Sequence, residues 1–301
     1  MTATGAVYDR GYRPYEGTRG GRTAARWALY RATFRRALGI RRSWRQKLFP
    51  WMLLGIVTIP AAVNVGIGYV TRDTPAEGFE FITYRDYVGV SSALLLFIAL
   101  TAPDVLCPDR RNRVLPLIFA RPMTGADYVV AKLGAIVTVL FAFSYIPQVV
   151  LFVGQMLVSS DGALDYAREN AEVLWQAPLA VAGLALYYTA VGLAISSLTT
   201  RRIVAGATIL GLMFVSSAVS AILTVDSNGH EASVSSARPG GATNLLALPL
   251  YVRDLIFLGH VDPDSPLSGL SYGGALALGS YCAVVAISVV TLFRRYRWVE
   301  A

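Results

Sequence analysis

Long apolar runs alternate along this chain with short polar segments that carry arginine. Within the runs, hydrophobic residues come in blocks rather than on one helical face or at every second residue. That pattern marks membrane spans, not elements packed into a soluble core. Six runs can cross a hydrocarbon layer about 30 Å thick. They cover residues 48–70, 87–106, 128–158, 173–198, 203–225 and 272–293. The third is long and has Pro147 in its middle. It either kinks there or extends from the bilayer at its Lys132 end. The first run follows a 47-residue leader and lacks the form of a cleavable signal.

The polar segments differ from one another. Residues 1–22 are rich in Gly, Arg and Tyr and read as an extended N-terminal segment. In residues 23–47, Trp27, Tyr30, Phe34, Leu38 and Trp44 recur at helical spacing among arginines, although Arg41 interrupts the stripe. This reads as a helix lying in the headgroup layer; the plainer reading is a basic anchor. Residues 226–241 have a flexible composition. Residues 243–259 are apolar but too short to span, and Pro249, Arg253 and Asp254 interrupt them. A re-entrant or interfacial helical pair is expected there.

Composition agrees with the pattern. The 301 residues are 54% hydrophobic and 15% charged, against about 25% charged in a typical soluble domain. The formal charge of +8 could signal nucleic acid or anionic lipid, and the distribution decides. Of the 27 Lys and Arg, 22 fall on one side of the six-span arrangement and five on the other. By the positive-inside rule both termini, including the tail 294–301, are cytoplasmic. The charge is then a topology signal, and nucleic acid has no place in the account.

Chemistry is sparse. The central parts of the spans hold no Asp, Glu, Lys, Arg or His, and the deep polar groups include Asn64, Gln148 and Gln155. An ion-coupled secondary transporter usually buries an ionisable group, so that alternative lacks an obvious carrier. "GLSYG", Gly269–Gly273, matches the G-x-S-x-G pattern of serine hydrolases. An intramembrane hydrolase would need a base near Ser271, and the two histidines, His230 and His260, both precede it in the outer loop. Cys107 and Cys282 fit neither a disulfide framework nor a metal site. Both lysines, Lys47 and Lys132, precede Leu, so the Gly-Lys-Ser/Thr phosphate cradle is missing. If ATP drives this protein, another chain binds it.

One segment is too elaborate for a simple connection: "CPDRRNRVLPLIFARPMTGADYVVAK", Cys107–Lys132. A short helix there would pack Val114, Leu115, Leu117 and Ile118 inward and turn Arg110, Arg111 and Arg113 outward, with Pro116 and Pro122 dividing it. In its order of Asp109, a basic run, Leu115-Pro116-Leu117, Arg121-Pro122, Asp127-Tyr128 and Lys132, it resembles the first cytoplasmic loop of ABC-2 type transporter permeases. "YDRGYRPYEGTRGGR" in the leader is similar to the start of a bacterial subgroup of that family.

The resemblance implies an all-α exporter membrane subunit with six transmembrane helices, an N-terminal elbow helix and a cytoplasmic coupling helix. The coupling segment would be Asp109–Ala126, with Asp109, Arg110, Arg111, Arg113, Leu115, Leu117 and Arg121 engaging an ABC ATPase subunit. Two ATPase copies, which carry ATP and Mg, would pair with two permease chains, identical or paralogous. Spans two and five would line a path offering Ser91, Ser92, Phe97, Met213, Phe214, Ser216, Ser217 and Ser220. Small residues of this kind also serve as helix-packing contacts. The implied cargo is amphipathic or lipid-like, moved outward across a bacterial plasma membrane. This chain would bind no cofactor or metal and catalyse no reaction.

Overall fold

The computed structural model describes residues 20–40, 44–72, 82–88, 91–120, 122–160, 162–224 and 238–297. Every regular element among them is a helix, and six helical segments are long and apolar enough to cross a membrane. In chain order the helices are α1 (Arg22–Ala37), α2 (Trp44–Thr71), α3 (Tyr84–Val88), α4 (Ser91–Arg111), α5 (Leu115–Phe119), α6 (Gly125–Val158), α7 (Ala163–Glu169), α8 (Val173–Leu198), α9 (Arg202–Thr224), α10 (Leu248–Leu258) and α11 (Gly273–Arg297). A 3-10 turn covers Pro239–Thr243. Arg10, Arg41 and Arg121, and most of the 226–241 segment, lie outside the described residues.

Helices α4 and α8 form the centre. Helix α8 packs against α4, α6, α9, α10 and α11, while α2 leans on α6 and α1 lies along α6. The outer helices α2, α9 and α11 bury little of themselves and expose apolar side chains such as Ile59, Phe214, Ile222 and Ile287. Such faces suit lipid, where exposing apolar surface carries no penalty. The helices run through Pro60, Pro103, Pro108, Pro147 and Pro178, as neighbouring helices in a membrane bundle permit.

The boundaries shift from the sequence reading in informative ways. The helix expected over residues 23–47 covers Arg22–Ala37 as α1, and Trp44–Lys47 belong to the first span's helix. Helix α4 runs to Arg111, absorbing the start of the segment expected to be a loop. Helix α6 begins at Gly125 because Thr124 and Asp127 form a reciprocal capping box, which satisfies two amide donors at the helix start. Its 34 residues make about 50 Å of helix, more than the hydrocarbon needs, and it is continuous through Pro147. The last span continues to Arg297, so the first residues of the expected tail are helical and Tyr296 is buried.

Among the described residues between α9 and α11, the 3-10 turn Pro239–Thr243 precedes a single α-helix, α10, where a helical pair was expected. It ends on Gly259, whose φ of 75° closes the left-handed cap, a conformation glycine adopts without steric cost. Tyr187 of α8 fastens the approach to α10 by donating to the Leu245 carbonyl at 2.9 Å, and Tyr281 fastens α11 to α8 by donating to the Gly183 carbonyl at 2.8 Å. The polar groups Asn64 and Gln148 are likewise used in packing. Asn64 donates to the Ile82 carbonyl at 3.0 Å and Gln148 to that of Tyr84 at 3.2 Å.

Gly273 opens α11 against the loop before it. A Cβ there would sit 2.2 Å from the Leu267 carbonyl oxygen. Backbone cannot yield cheaply, so Gly273→Ala is expected to destabilise the fold by about 1–3 kcal/mol. Thermal unfolding in detergent measures it; an unchanged midpoint would contradict this packing.

Candidate functional site at the basic end of the bundle

The arginine-rich turns, the end of α4, the start of α6, the end of α11 and the whole of α1 meet at one end of the bundle. Helix α4 stops there in a Schellman arrangement. The Val114 amide donates to the Asp109 carbonyl at 3.1 Å and the Arg113 amide to that of Arg110 at 3.2 Å. Arg113 occupies the left-handed position with φ of 51°, the single positive-φ non-glycine among the described residues. An L-residue there costs about 1–2 kcal/mol relative to the right-handed region. After this turn α5 starts with Pro116 in its first turn, where a missing amide proton does no harm.

Asp109, in the last turn of α4, is buried. Its Oδ2 accepts from Lys132 Nζ at 2.7 Å and from the Tyr128 hydroxyl at 2.9 Å, and its Oδ1 from Arg36 Nη1 at 3.3 Å. Lys132 also donates to the Val105 carbonyl at 3.3 Å. A buried ion pair survives only when its remaining donors and acceptors are met, and three donors on one carboxylate meet that demand. Tyr128 packs on Phe119 of α5 and Tyr296 of α11, with ring centroids 6.1 and 4.8 Å away. Thus α1, α4, α5, α6 and α11 converge on Asp109 and Tyr128.

A second carboxylate pins α1. Asp127, already capping α6, receives Arg22 Nε at 2.6 Å and lies 3.6 Å from Arg26. Helix α1 turns an aromatic stack toward its flank, with Trp27 against Tyr30 at 4.9 Å and Arg31 over the Trp27 ring.

These positions revise several sequence expectations. Asp109 is an internal joint, not a surface contact. Arg110 is turned back into the bundle, donating to the Ser197 carbonyl at the end of α8. Arg111 and Arg113 are exposed, as expected of an outward face. Leu115 is buried, but Leu117 is 70% exposed rather than packed inward. In a five-residue helix only one side can face the bundle, and Leu115 with Phe119 takes it.

The residues proposed to line a path are not gathered on one wall. Phe97 is buried against Phe143 at 5.1 Å, and Met213 is buried in the core. Ser216 accepts from the Leu245 amide at 3.1 Å and donates to the Met213 carbonyl, while Ser220 donates to that of Gly240 at 3.2 Å. Phe214 is exposed, Ser92 is exposed and Ser217 is half-buried. Nothing is described of the Ser91 side chain.

Helices α4 and α9 do enclose a cleft of about 630 Å³ at the basic end, where Arg202 reaches Asp104 at 2.5 Å. Sequence reasoning missed it, along with Arg36, Tyr128 and Tyr296 as partners of Asp109. One signal was present: Lys132, inside an apolar run, requires a carboxylate, and Asp104, Asp109 and Asp127 were the nearest in sequence.

At the opposite end Arg85 bridges α3 to Asp262 at 2.9 Å, and Arg253 chelates Asp254 while donating to the Arg85 carbonyl at 3.2 Å. Burial pushes the Asp254 carboxyl above its usual range, against the pull of Arg253. Ser271 and His260 line a common cleft there. His260 Nδ1 instead contacts the Val261 carbonyl at 3.0 Å, and no hydrogen bond joins it to Ser271 among the described residues. Cys107 is buried and Cys282 exposed, both as free thiols.

Among the described residues every regular element is helical, and six helices long and apolar enough to cross a membrane give the chain the make-up of a multi-pass membrane protein. No family model matches the sequence, and no curated protein matches it.

Proposed function

We propose that this chain is the membrane-spanning permease subunit of an ATP-binding cassette exporter, with its basic end in the cytoplasm. The observation that carries the reading is α5. It is a short helix outside the bundle with exposed Arg111, Arg113 and Leu117 around it. Through Leu115, Phe119 and Tyr128 it bears on the joint shared by α1, α4, α6 and α11. A push on α5 is therefore delivered to four helices at once. Packed side chains and a buried ion pair transmit such displacement better than a polar loop, because they resist compression.

Arg113 adds to this. Glycine would serve the turn at lower conformational cost, yet the position holds an arginine whose exposed side chain is free to meet an acidic surface. In this reading the ATPase chains bind ATP and Mg, and their closure moves α5. The arginines also suit the anionic cytoplasmic leaflet, so the 22-to-5 distribution of basic residues supports the same orientation.

The test begins with the chain alone. Purified in detergent, it is expected to bind and hydrolyse no ATP, because no lysine lies in a phosphate cradle. Stoichiometric nucleotide binding, measured by equilibrium dialysis, would sink the reading. Orientation is checked independently with cysteine substitutions. A label at exposed Glu169 is expected to react from outside intact cells and one at Arg201 is not. The reverse pattern would invert the topology and remove α5 from the cytoplasm.

A further inference from the structure

We infer that α7, the short helix between α6 and α8, docks on the membrane surface at the end away from the arginine-rich turns, with Leu164 inserted at the boundary of headgroups and acyl chains. This rests on the membrane-spanning make-up of the chain and not on the proposed transport.

Helix α7 sits too deep for a loop that simply stands in water. Helix α6 ends at Val158, and the chain then turns back. Gly162 has φ of 99°, a region glycine enters without steric cost, and α7 begins at the next residue. Tyr166 lies against Phe152 of α6, with ring centroids 6.0 Å apart, and its hydroxyl is 2.7 Å from that of Tyr84 on α3. Phe152 precedes the end of α6 by six residues, about 9 Å along the helix axis. Two exposed aromatics mark the headgroup level on this side, Tyr69 near the end of α2 and Trp175 near the start of α8. Such residues favour the boundary between membrane and water. Tyr69 follows Gly68, where a Cβ would stand 2.9 Å from Gln155 Oε1, so Tyr69 is level with Gln155. Tyr166 reaches past that level to Phe152, about one helical turn nearer the bilayer middle.

The faces of α7 divide to match. With about 3.6 residues per turn, its residues fall on three sides. Tyr166 faces the bundle. Asp165 and Glu169 share an exposed polar side. Ala163, Leu164 and Ala167 make the third side, and Leu164 is 74% exposed. Leu157 at the end of α6 and Leu174 at the start of α8 are exposed too, so apolar surface flanks α7 in both directions along the chain. Arg168 borders Leu164 and pairs with Asp165 at 3.4 Å. Its stem can lie over the acyl boundary while its head stays among the headgroups. A helix with this division settles about 5–10 Å into that boundary. The leaflet then bears, through Tyr166, on the start of α3, where the Tyr84 carbonyl accepts from Gln148 and the Ile82 carbonyl from Asn64.

The full chain carrying Cys282→Ser, which removes the exposed thiol, allows a test in phosphatidylcholine vesicles. The fluorophore NBD is attached at Leu164→Cys or at Glu169→Cys, with iodide on both sides as the aqueous quencher and phosphatidylcholine bearing a nitroxide high on its acyl chain as the lipid quencher. The label at 164 is expected to emit at shorter wavelength, to be quenched by the nitroxide lipid and to be sheltered from iodide. The label at 169 should show the reverse. Ile287→Cys, on the exposed side of α11, supplies the value for a lipid-facing site.

Equal iodide quenching at 164 and 169 would place α7 in water and overturn the inference. Shelter of the 164 label from both quenchers would overturn it as well, because a protein surface, a second copy included, would then cover Leu164. Leu164→Asp should open a label at Ala167→Cys to iodide. If that label stays lipid-quenched and iodide-sheltered, Leu164 is not the point of insertion and the inference fails.

Discussion

Asp109→Ala is expected to cost the folded protein about 3–5 kcal/mol, the usual consequence of removing one partner from a buried ion pair. Lys132 lies wholly inside the bundle, and its Nζ would keep the Val105 carbonyl alone of its two acceptors. The Tyr128 hydroxyl and one Arg36 nitrogen would lose their acceptor as well. Asp109→Asn is a gentler case. It preserves volume and one acceptor oxygen but not the charge, so Lys132 remains uncompensated. The informative comparison is Asp109→Leu with Lys132→Met. Removing both charges from an apolar surrounding is often neutral or stabilising, so the double variant should recover much of the loss of either single one. Folded yield and thermal midpoint in detergent measure this. If Asp109→Ala unfolds at the unsubstituted temperature, the joint is not a mechanical unit.

The second large effect concerns α5. Arg111→Glu with Arg113→Glu is expected to weaken association with the ATPase chain tenfold or more and to uncouple ATP hydrolysis from transport. Losing one desolvated contact between charged groups costs about 2–5 kcal/mol, and replacing attraction by repulsion adds to it. Arg110 is deliberately spared. It holds the Ser197 carbonyl, so reversing it would disturb α8 and confuse a docking defect with a folding defect. Leu117→Ala is a charge-free companion, since an apolar side chain so exposed at a polar end is suited to a partner's pocket. Co-purification and substrate-stimulated ATP hydrolysis are the readouts, with thermal unfolding as the check on integrity. Reversal of Arg168, exposed at the far end, should change neither. A double variant that folds, docks and couples normally would leave α5 an ordinary turn between helices.

Much of this architecture was legible in the chain because the membrane simplifies the problem. A span must satisfy its backbone internally and show apolar side chains for about 20 residues, and that demand is written continuously along the sequence. Six helices long and apolar enough to span, a helix before the first of them and an apolar shorter helix before the last could all be found this way. Their ends could not be found as well. Helix α4 runs on through Pro108 to Arg111 because Asp109 and Arg110 have partners across the bundle, on α6, α1 and α8. Polarity read locally suggests a loop there, since the sequence does not display those partners.

Within the candidate site the division is similar. Periodicity, composition and charge distribution determined the all-helical, membrane-spanning class of this protein, and the unusual pattern of 107–132 marked that segment as more than a connection. Tertiary structure decided the role of each residue in it. Asp109, Arg110 and Leu117 carry the same weight as letters in a basic, oily stretch. Yet Asp109 is buried against Lys132, Arg110 is folded back on Ser197 and Leu117 is exposed. The cleft of α4 and α9 lies further still from sequence, depending on Gly206 and Ala99, which are 107 positions apart and meet only when the helices pack. Hydrophobicity is a property each residue carries alone, so the chain displays it. The pairing of buried charges and the fit of small residues belong to two or more positions at once, and only the packed bundle assigns them.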